Sequence, residues 1–418
     1  MKNDSILTLF AGNLNTNSTL SNTTGNDLSY EMKTFYDMRL IDEAGPMLVH
    51  QQFGQKRPIP KNGGKTIEFR KFSNLPKALT ALTEGVTPDG GCLDVSHVEA
   101  TVSQYGYFIT QSDVLELTAV DNTIVETVKL LGRQSGVTLD TVVRNVLHTG
   151  TNVNYAHKVS GGSETEVTSR GNLDETAQLT VDEVKQAVAK LRAQNAPTFG
   201  GYYVAIIHPY VAYDLMSDPA WIDCHKYAQP EQIFEGEIGR IAGVRFVETT
   251  EAKVDRGANL ASDSRTLTIN KAAGYTGAIT TVDFDGGTVA ADALIGKWIE
   301  INGVRAKITD NTATALTFAS TNFGTVADNT VISPAACAAG AVFCTLFVGD
   351  GAYGVTEVTG GGLQTIVKQK GSAGTADPLN QRSTVGWKAL LTAEILVQNN
   401  LLRVESCSKR FSAKTEAN

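Results

Sequence analysis

"FGQKRPIPKNGGKTIEFRKF" (residues 53–72) is the stretch on which the fold turns. It carries Lys56, Arg57, Lys61, Lys65, Arg70 and Lys71 against one acid, Glu68, in a chain whose formal net charge is -8. "KNGGK" (61–65) has the chemistry of a hairpin tip, because Asn-Gly and Gly-Gly accept positive φ at little steric cost. Beyond it Ile67 and Phe69 alternate with Glu68 and Arg70, the period of a half-buried strand. "DVSHVEATVSQYGYFIT" (94–110) supplies a second strand region through Val95, Val98, Val102, Tyr105 and Tyr107. Residues 54–110 therefore predict an extended two-stranded excursion with little apolar content. A lone ribbon is marginal in water, so this one needs another surface to lie on.

Three readings compete for its charge. A DNA-binding patch would interleave exposed aromatics and would not sit in an acidic chain. A solvated hairpin explains the charge but not the lack of apolar support. An arm that reaches acidic surface on another subunit explains both.

The totals set the frame. At roughly 100–200 residues per domain, 418 residues suggest two to four structural units. A hydrophobic fraction of 42% against 19% charged provides for a sizeable core, and 39 glycines suit many turns and strands. The five cysteines, Cys92, Cys224, Cys337, Cys344 and Cys407, form no C-x-x-C pair and are odd in number, which points to reduced thiols used as small apolar residues. No signal peptide or transmembrane segment is legible. The Asn17 and Asn22 glycosylation patterns therefore carry no weight.

Along the chain, residues 1–30 read as a polar, flexible arm. Met32, Phe35, Met38 and Ile41 predict a helix within 31–53, interrupted at Gly45-Pro46. After the excursion, Leu117, Val120, Ile124, Val128, Leu131, Leu139, Val142 and Val146 form one apolar stripe, which predicts a long helix over 112–148 with a kink near Gly132 and Gly136. Thr180 and Glu183 open a further helix as a capping box, and Pro197 marks its stop. "GYYVAIIHP" (201–209) is a buried strand, followed by a short helix from Pro209 to Met216 and a strand around Val244–Glu248. From Leu267 to about Ser333, short β-type runs between Gly, Asp and Asn turns predict an all-β insertion, sandwich- or barrel-like.

Motifs of chemistry are weak. Gly349-Asp-Gly351-Ala-Tyr-Gly354 fits G-x-G-x-x-G, but a dinucleotide site needs a helix next and "VTEVTGGG" is not helical. Asp283 and Asp285 have the spacing of the first calcium-loop ligands, while the later ligands are missing. His50, His97, His148, His157, His208 and His225 show no paired ligand spacing, and there is no G-x-S-x-G elbow. No catalytic, cofactor-binding or metal residue is assigned.

The order of parts, together with "TFYDMRLIDEAGPMLVHQQFGQKRPIPKNGGKTIEFRKF" (34–72), "GEIGRIAGVRFVETT" (236–250) and "DPLNQRSTVGWKALLTAEILVQNNLLRVES" (377–406), resembles the major capsid (coat) proteins of tailed double-stranded DNA bacteriophages. The resemblance covers about 30–250 and 340–410. It implies an α+β tailed-phage capsid fold: N-arm 1–30, N-terminal helix 31–53, extended loop 54–110, peripheral domain with spine helix 111–172, axial domain 173–252 and 339–365, all-β insertion 253–338, and peripheral strands with a C-terminal tail over 366–418. It further implies a non-enzymatic, homo-oligomeric subunit that forms pentamers and hexamers of an icosahedral head around double-stranded DNA. Lys56, Arg57, Lys61, Lys65, Arg70 and Lys71 would contact the neighbouring subunit. Scaffolding, portal and decoration proteins are the implied partners, the DNA is held without sequence-specific binding, and no membrane is involved. The location is the virion capsid, with the host cytoplasm during assembly. Some relatives cross-link through a Lys and an Asn, but no motif here identifies such a pair. The alternatives are a non-viral compartment shell of the same fold, or an α/β enzyme using Gly349–Gly354 for a nucleotide.

Overall fold

A computed structural model of the chain describes Thr16–Asn17 and residues 49–411, apart from 73–74, 76, 78, 80, 82–83, 85–89, 119–122, 223–238, 360, 369 and 372–376. The helix expected within 31–53, most of the arm, Cys224 and His225 lie outside the described residues. The chain divides into two compact units, one of residues 1–51, 55–143 and 354–396, the other of residues 52–54, 144–353 and 397–418.

The first unit is organised by strand Arg382–Ile395. It pairs antiparallel with Ser103–Ser112, Arg382 opposite Ser112 and Leu391 opposite Ser103, and with Gln364–Lys368. Ser103–Ser112 therefore belongs to this sheet, not to the hairpin in which the sequence placed it. Residues more than 250 positions away supply its partner, a register that no local pattern encodes. Tyr353–Glu357 and the short parallel strand Gln55–Lys56 complete that side. Phe108 lies opposite Gly386, where a Cβ would stand 2.7 Å from the Phe108 Cβ; glycine there makes room for the aromatic.

Within the helix predicted over 112–148, the described helical segments are Asp113–Thr118 and Thr123–Leu147, and the second runs through Gly132 and Gly136 without interruption. Its buried stripe also differs from the expected one. Thr127, Leu131, Ser135, Leu139, Val143 and Leu147, spaced by four, are buried, whereas Val142 and Val146 are half-buried. Polar Thr127 and Ser135 on that stripe hid it from a hydrophobicity count. Thr127 accepts a 2.6 Å hydrogen bond from Gln111, and Ser135 donates back to the Gly132 carbonyl at 2.6 Å. Asp140 on this helix takes the His50 backbone N–H at 2.8 Å and its Nδ1 at 2.6 Å, both groups fully buried.

The second unit is a seven-stranded mixed sheet with a barrel inserted. Tyr203–Ile207 is buried at every position and lies between Val244–Glu248, parallel, and Val342–Val348, antiparallel; Leu401–Ser406 follows. Burying both faces explains the continuous apolar run. Helix Val181–Ala193 packs Val184, Ala187, Val188 and Leu191 into the core beside Phe343, Phe347 and Leu402. Helix Pro209–Met216 adds Val211, Ala212 and Leu215. Thr180 caps the first helix by accepting from the Glu183 N–H at 3.3 Å. The reciprocal half of the capping box is not made: the Glu183 carboxylate takes the His157 N–H at 2.7 Å and its Nδ1 at 2.5 Å. That carboxylate raises the His157 pKa.

Leu267–Ile269, Ala278–Asp285, Trp298–Ile301, Val304–Asn311, Ala315–Asn322 and Val331–Ala335 close into a six-stranded antiparallel barrel. Closure removes exposed strand edges. Its interior is a core of its own, including Ile269, Phe284, Ile299, Leu316, Phe318 and Ile332. Trp298 Nε1 donates to the Gly171 carbonyl at 2.8 Å and fastens the barrel to the sheet side of the unit.

Candidate functional site

The basic stretch is held at one end and projects at the other. Gln55 and Lys56 lie opposite Gly354 and Val355, and the Ile59 N–H donates to the Glu357 carbonyl at 2.8 Å, with Ile59 buried. A turn follows at Pro60–Gly64, with Asn62 at φ 69° and Gly64 at φ 89°. This corrects the placement of "KNGGK". It is not the hairpin tip but the base, because Val102 N–H donates to the Lys65 carbonyl at 2.9 Å where the two strands begin to pair. The ribbon then runs outward, Thr66–Phe72 antiparallel to Val95–Thr101.

Its two faces differ. Ile67 opposes Ala100 and Phe69 opposes Val98, all on one face; Glu68 opposes Glu99 and Arg70 opposes His97 on the other. Phe69 and Ala100 are buried near the base. The Phe69 ring occupies the space over Gly354, where an added Cβ would meet its Cζ at 2.8 Å, and the Arg57 guanidinium lies 5.8 Å above the same ring. Toward the far end Leu75, Leu79, Leu93 and Val95 are exposed, Leu79 by 85%. These are exposed apolar side chains of the kind that interaction surfaces carry.

Lys56, Arg57, Lys61, Lys65 and Arg70 are all exposed, and Lys71 lies on the strand. They are spread along the base and body of the ribbon. Arg70 pairs with Glu68 at 3.3 Å, both groups in solvent, a contact of small energy. A second uncovered surface escaped the sequence reading. Tyr107, Phe108 and Ile366 line an open groove of about 510 Å³ with Trp387 and Lys368 on the strand pair of the first unit. Its signal in the sequence is the Gly-Tyr-Phe triplet at 106–108.

The Gly349–Gly354 run joins strand Val342–Val348 to strand Tyr353–Glu357. A Cβ at Gly349 would stand 2.8 Å from the Pro197 carbonyl oxygen, and Gly351 has φ 66°. These glycines serve a tight turn and close packing. Asp283 and Asp285 sit on a barrel strand, bonded to the Tyr275 and Thr268 hydroxyls respectively. Among the described residues no group of three or more His, Cys, Asp or Glu side chains is arranged to hold a metal, and no helix is long and apolar enough to cross a membrane.

Comparison with solved structures places this architecture. The capsid of the cyanophage P-SCSP1u is similar over 93% of this chain and 97% of its own, at TM-score 0.54 and 12% identity. The capsid of Ralstonia phage GP4 is similar over 94% of this chain and 99% of its own, at TM-score 0.53 and 13% identity. No curated protein sequence matches the chain. The fold is that of tailed-phage capsid proteins, a class of shell-building subunits. The family described as phage capsid protein matches residues 55–285, and the chain belongs to it. It is a structural subunit of a multimeric phage capsid shell.

Proposed function

We propose that the hairpin is the clamp by which one capsid subunit grips the next. Lys56, Arg57, Lys61, Lys65, Arg70 and Lys71 meet acidic surface on the neighbour, and Leu75, Leu79 and Leu93 seat the distal end. The observation that carries this is a ribbon anchored at Phe69 and Ile59 yet uncovered along its basic body and its apolar end. Two copies at net charge -8 repel at long range, so the attraction is local, between this basic ribbon and acidic surface on the neighbour. Contacts of one surface with a different surface close by rotation into rings, here pentamers and hexamers of an icosahedral head. Many weak contacts hold together through multivalency while each remains reversible. Assembly takes place in the host cytoplasm, with scaffolding, portal and decoration proteins as partners, and the acidic chain encloses double-stranded DNA without reading its sequence. The role involves no enzymatic step.

Sedimentation of a Lys61→Glu, Lys65→Glu, Arg70→Glu variant tests the clamp. The variant folds with unchanged circular dichroism, and its shells or rings are lost or dissociate at much lower salt. Assembly as robust as that of the wild type, at every salt concentration, would overturn the clamp.

A further inference from the structure

We propose that Cys337 and Cys407 are a redox modification site, an intramolecular disulfide that forms when the particle meets a small peroxide and bolts the root of the barrel to the C-terminal strand. The two Sγ atoms are 3.5 Å apart, and both residues are fully buried. A disulfide is about 2.0 Å long, so the sulfurs need close by only about 1.5 Å. Cys337 lies in the turn that leaves the barrel, between strands Val331–Ala335 and Val342–Val348; Cys407 lies just beyond strand Leu401–Ser406. Neither is locked inside a strand, so each side chain can make that movement.

The pair is chemically asymmetric. When Cys407 supplies the S–H, the contact lowers the Cys337 pKa, and the Ala339 and Gly340 N–H groups and the Arg305 charge act in the same direction. The Arg305 guanidinium lies against Gly340, whose added Cβ would meet its Nε at 2.6 Å, and Arg305 Nε is fixed by Glu300 at 2.9 Å. Cys407 is shifted the other way by the same contact and by burial. We assign Cys337 as the attacking thiolate and Cys407 as the resolving thiol because the Arg305 charge and the Ala339 and Gly340 N–H groups lie on the Cys337 side. The apolar shell of Ala156, Val167, Leu173, Ala177 and Val342 leaves both thiols without solvent exposure, so the reaction requires a small oxidant and an opening of the turn at 336–340 to let it in.

The chemistry balances. The Cys337 thiolate attacks one peroxide oxygen; the O–O bond breaks, hydroxide leaves and takes up the proton that Cys337 had released, and a sulfenic acid remains. The Cys407 sulfur then attacks that sulfur, its proton joins the departing hydroxyl, and a second water leaves. Two thiols are oxidised by one electron each, and one peroxide is reduced to two waters. In a reducing cytosol the pair stays open; outside it, it closes. Closure ties residues 70 positions apart, which constrains the unfolded chain strongly.

The experiment uses the purified full-length chain, reduced and then treated with dilute hydrogen peroxide, alkylated under denaturing conditions and mapped by peptide mass. The expected result is a Cys337–Cys407 linked peptide, the loss of two alkylatable thiols of the five, and a midpoint of thermal unfolding raised by roughly 5 °C or more. Buried Cys344, whose pKa burial pushes up to about 12, stays alkylatable and serves as the internal control. A Cys337→Ser chain gives neither linkage nor rise. Both thiols recovered as alkylated cysteine after peroxide, or Cys337 found as sulfinic acid with Cys407 untouched, would overturn the proposal.

Discussion

The Phe69 ring lies against Gly354, its Cζ 2.8 Å from where a Cβ would stand, so the hairpin strand Thr66–Phe72 and the last glycine of the Gly349–Gly354 run are one packing unit. The glycine that a nucleotide motif would have claimed is required by an aromatic ring. Gly354→Ala places a methyl 2.8 Å from that ring and forces the base of the hairpin to shift. The expected outcome is faster proteolysis between residues 60 and 102 and impaired assembly. Phe69→Leu in the same chain restores part of both. Unchanged proteolysis in Gly354→Ala would remove the packing role.

The Arg170 guanidinium grips Glu405 through Nε at 2.6 Å and Nη2 at 2.5 Å, and reaches Asp255 through Nη1. Arg403 adds a 2.9 Å contact to the same Glu405, which is fully buried. Breaking a buried pair costs about 3–5 kcal/mol because the remaining charge is stranded. Glu405→Ala leaves Arg170 36% exposed and still paired with Asp255, so it is expected to lower stability by the low end of that range or less, read from denaturant midpoints, whereas Arg70→Ala in the exposed Glu68 pair changes it by under about 1 kcal/mol.

His157 sets a pH dependence with a definite sign. Glu183 raises its pKa, so the folded chain binds the proton more tightly than the unfolded one. The associated stability is fully present below the unfolded value of about 6.5 and is lost as pH rises through the folded value. Thermal melts should therefore show a fall in stability above about pH 6.5 that His157→Gln abolishes. The residue is partly exposed, so the fall is modest.

The barrel has a closed strand order and a core of its own. Residues 258–336 expressed alone are expected to unfold cooperatively. Phe318→Ala, which removes a ring packed at 5.2 Å against Phe323, should lower that stability by about 3–5 kcal/mol. Failure of the excised segment to fold, while the full chain folds, would show that the barrel depends on the sheet beside it.

What the sequence made legible was local. Period-2 alternation in residues 66–70, the apolar run at 203–207 and Pro209 as a helix start each announce their own element, because backbone and burial fix them within a few residues. Long-range pairing was not legible. Nothing in "SQYGYFIT" says that its partner is Thr384–Leu391, and nothing local distinguishes the base of the hairpin from its tip. Glu183 reads as a capping residue until His157 is brought beside it. Arg170 and Glu405 are 235 positions apart, so their pair is invisible in one sequence. At the candidate site, the basic residues could be named in advance because charge is read directly. The uncovered Tyr107 and Phe108 could not, because exposure depends on which strand lies beside them.

The central claim is that this chain builds a shell. Electron microscopy of the purified full-length chain, alone and co-expressed with a candidate scaffolding protein, alongside sedimentation, tests it most directly. The account predicts closed shells, or rings of five and six subunits, in at least one of the two preparations. A uniform small oligomer in both, with a melting temperature raised by a nucleotide, would contradict it.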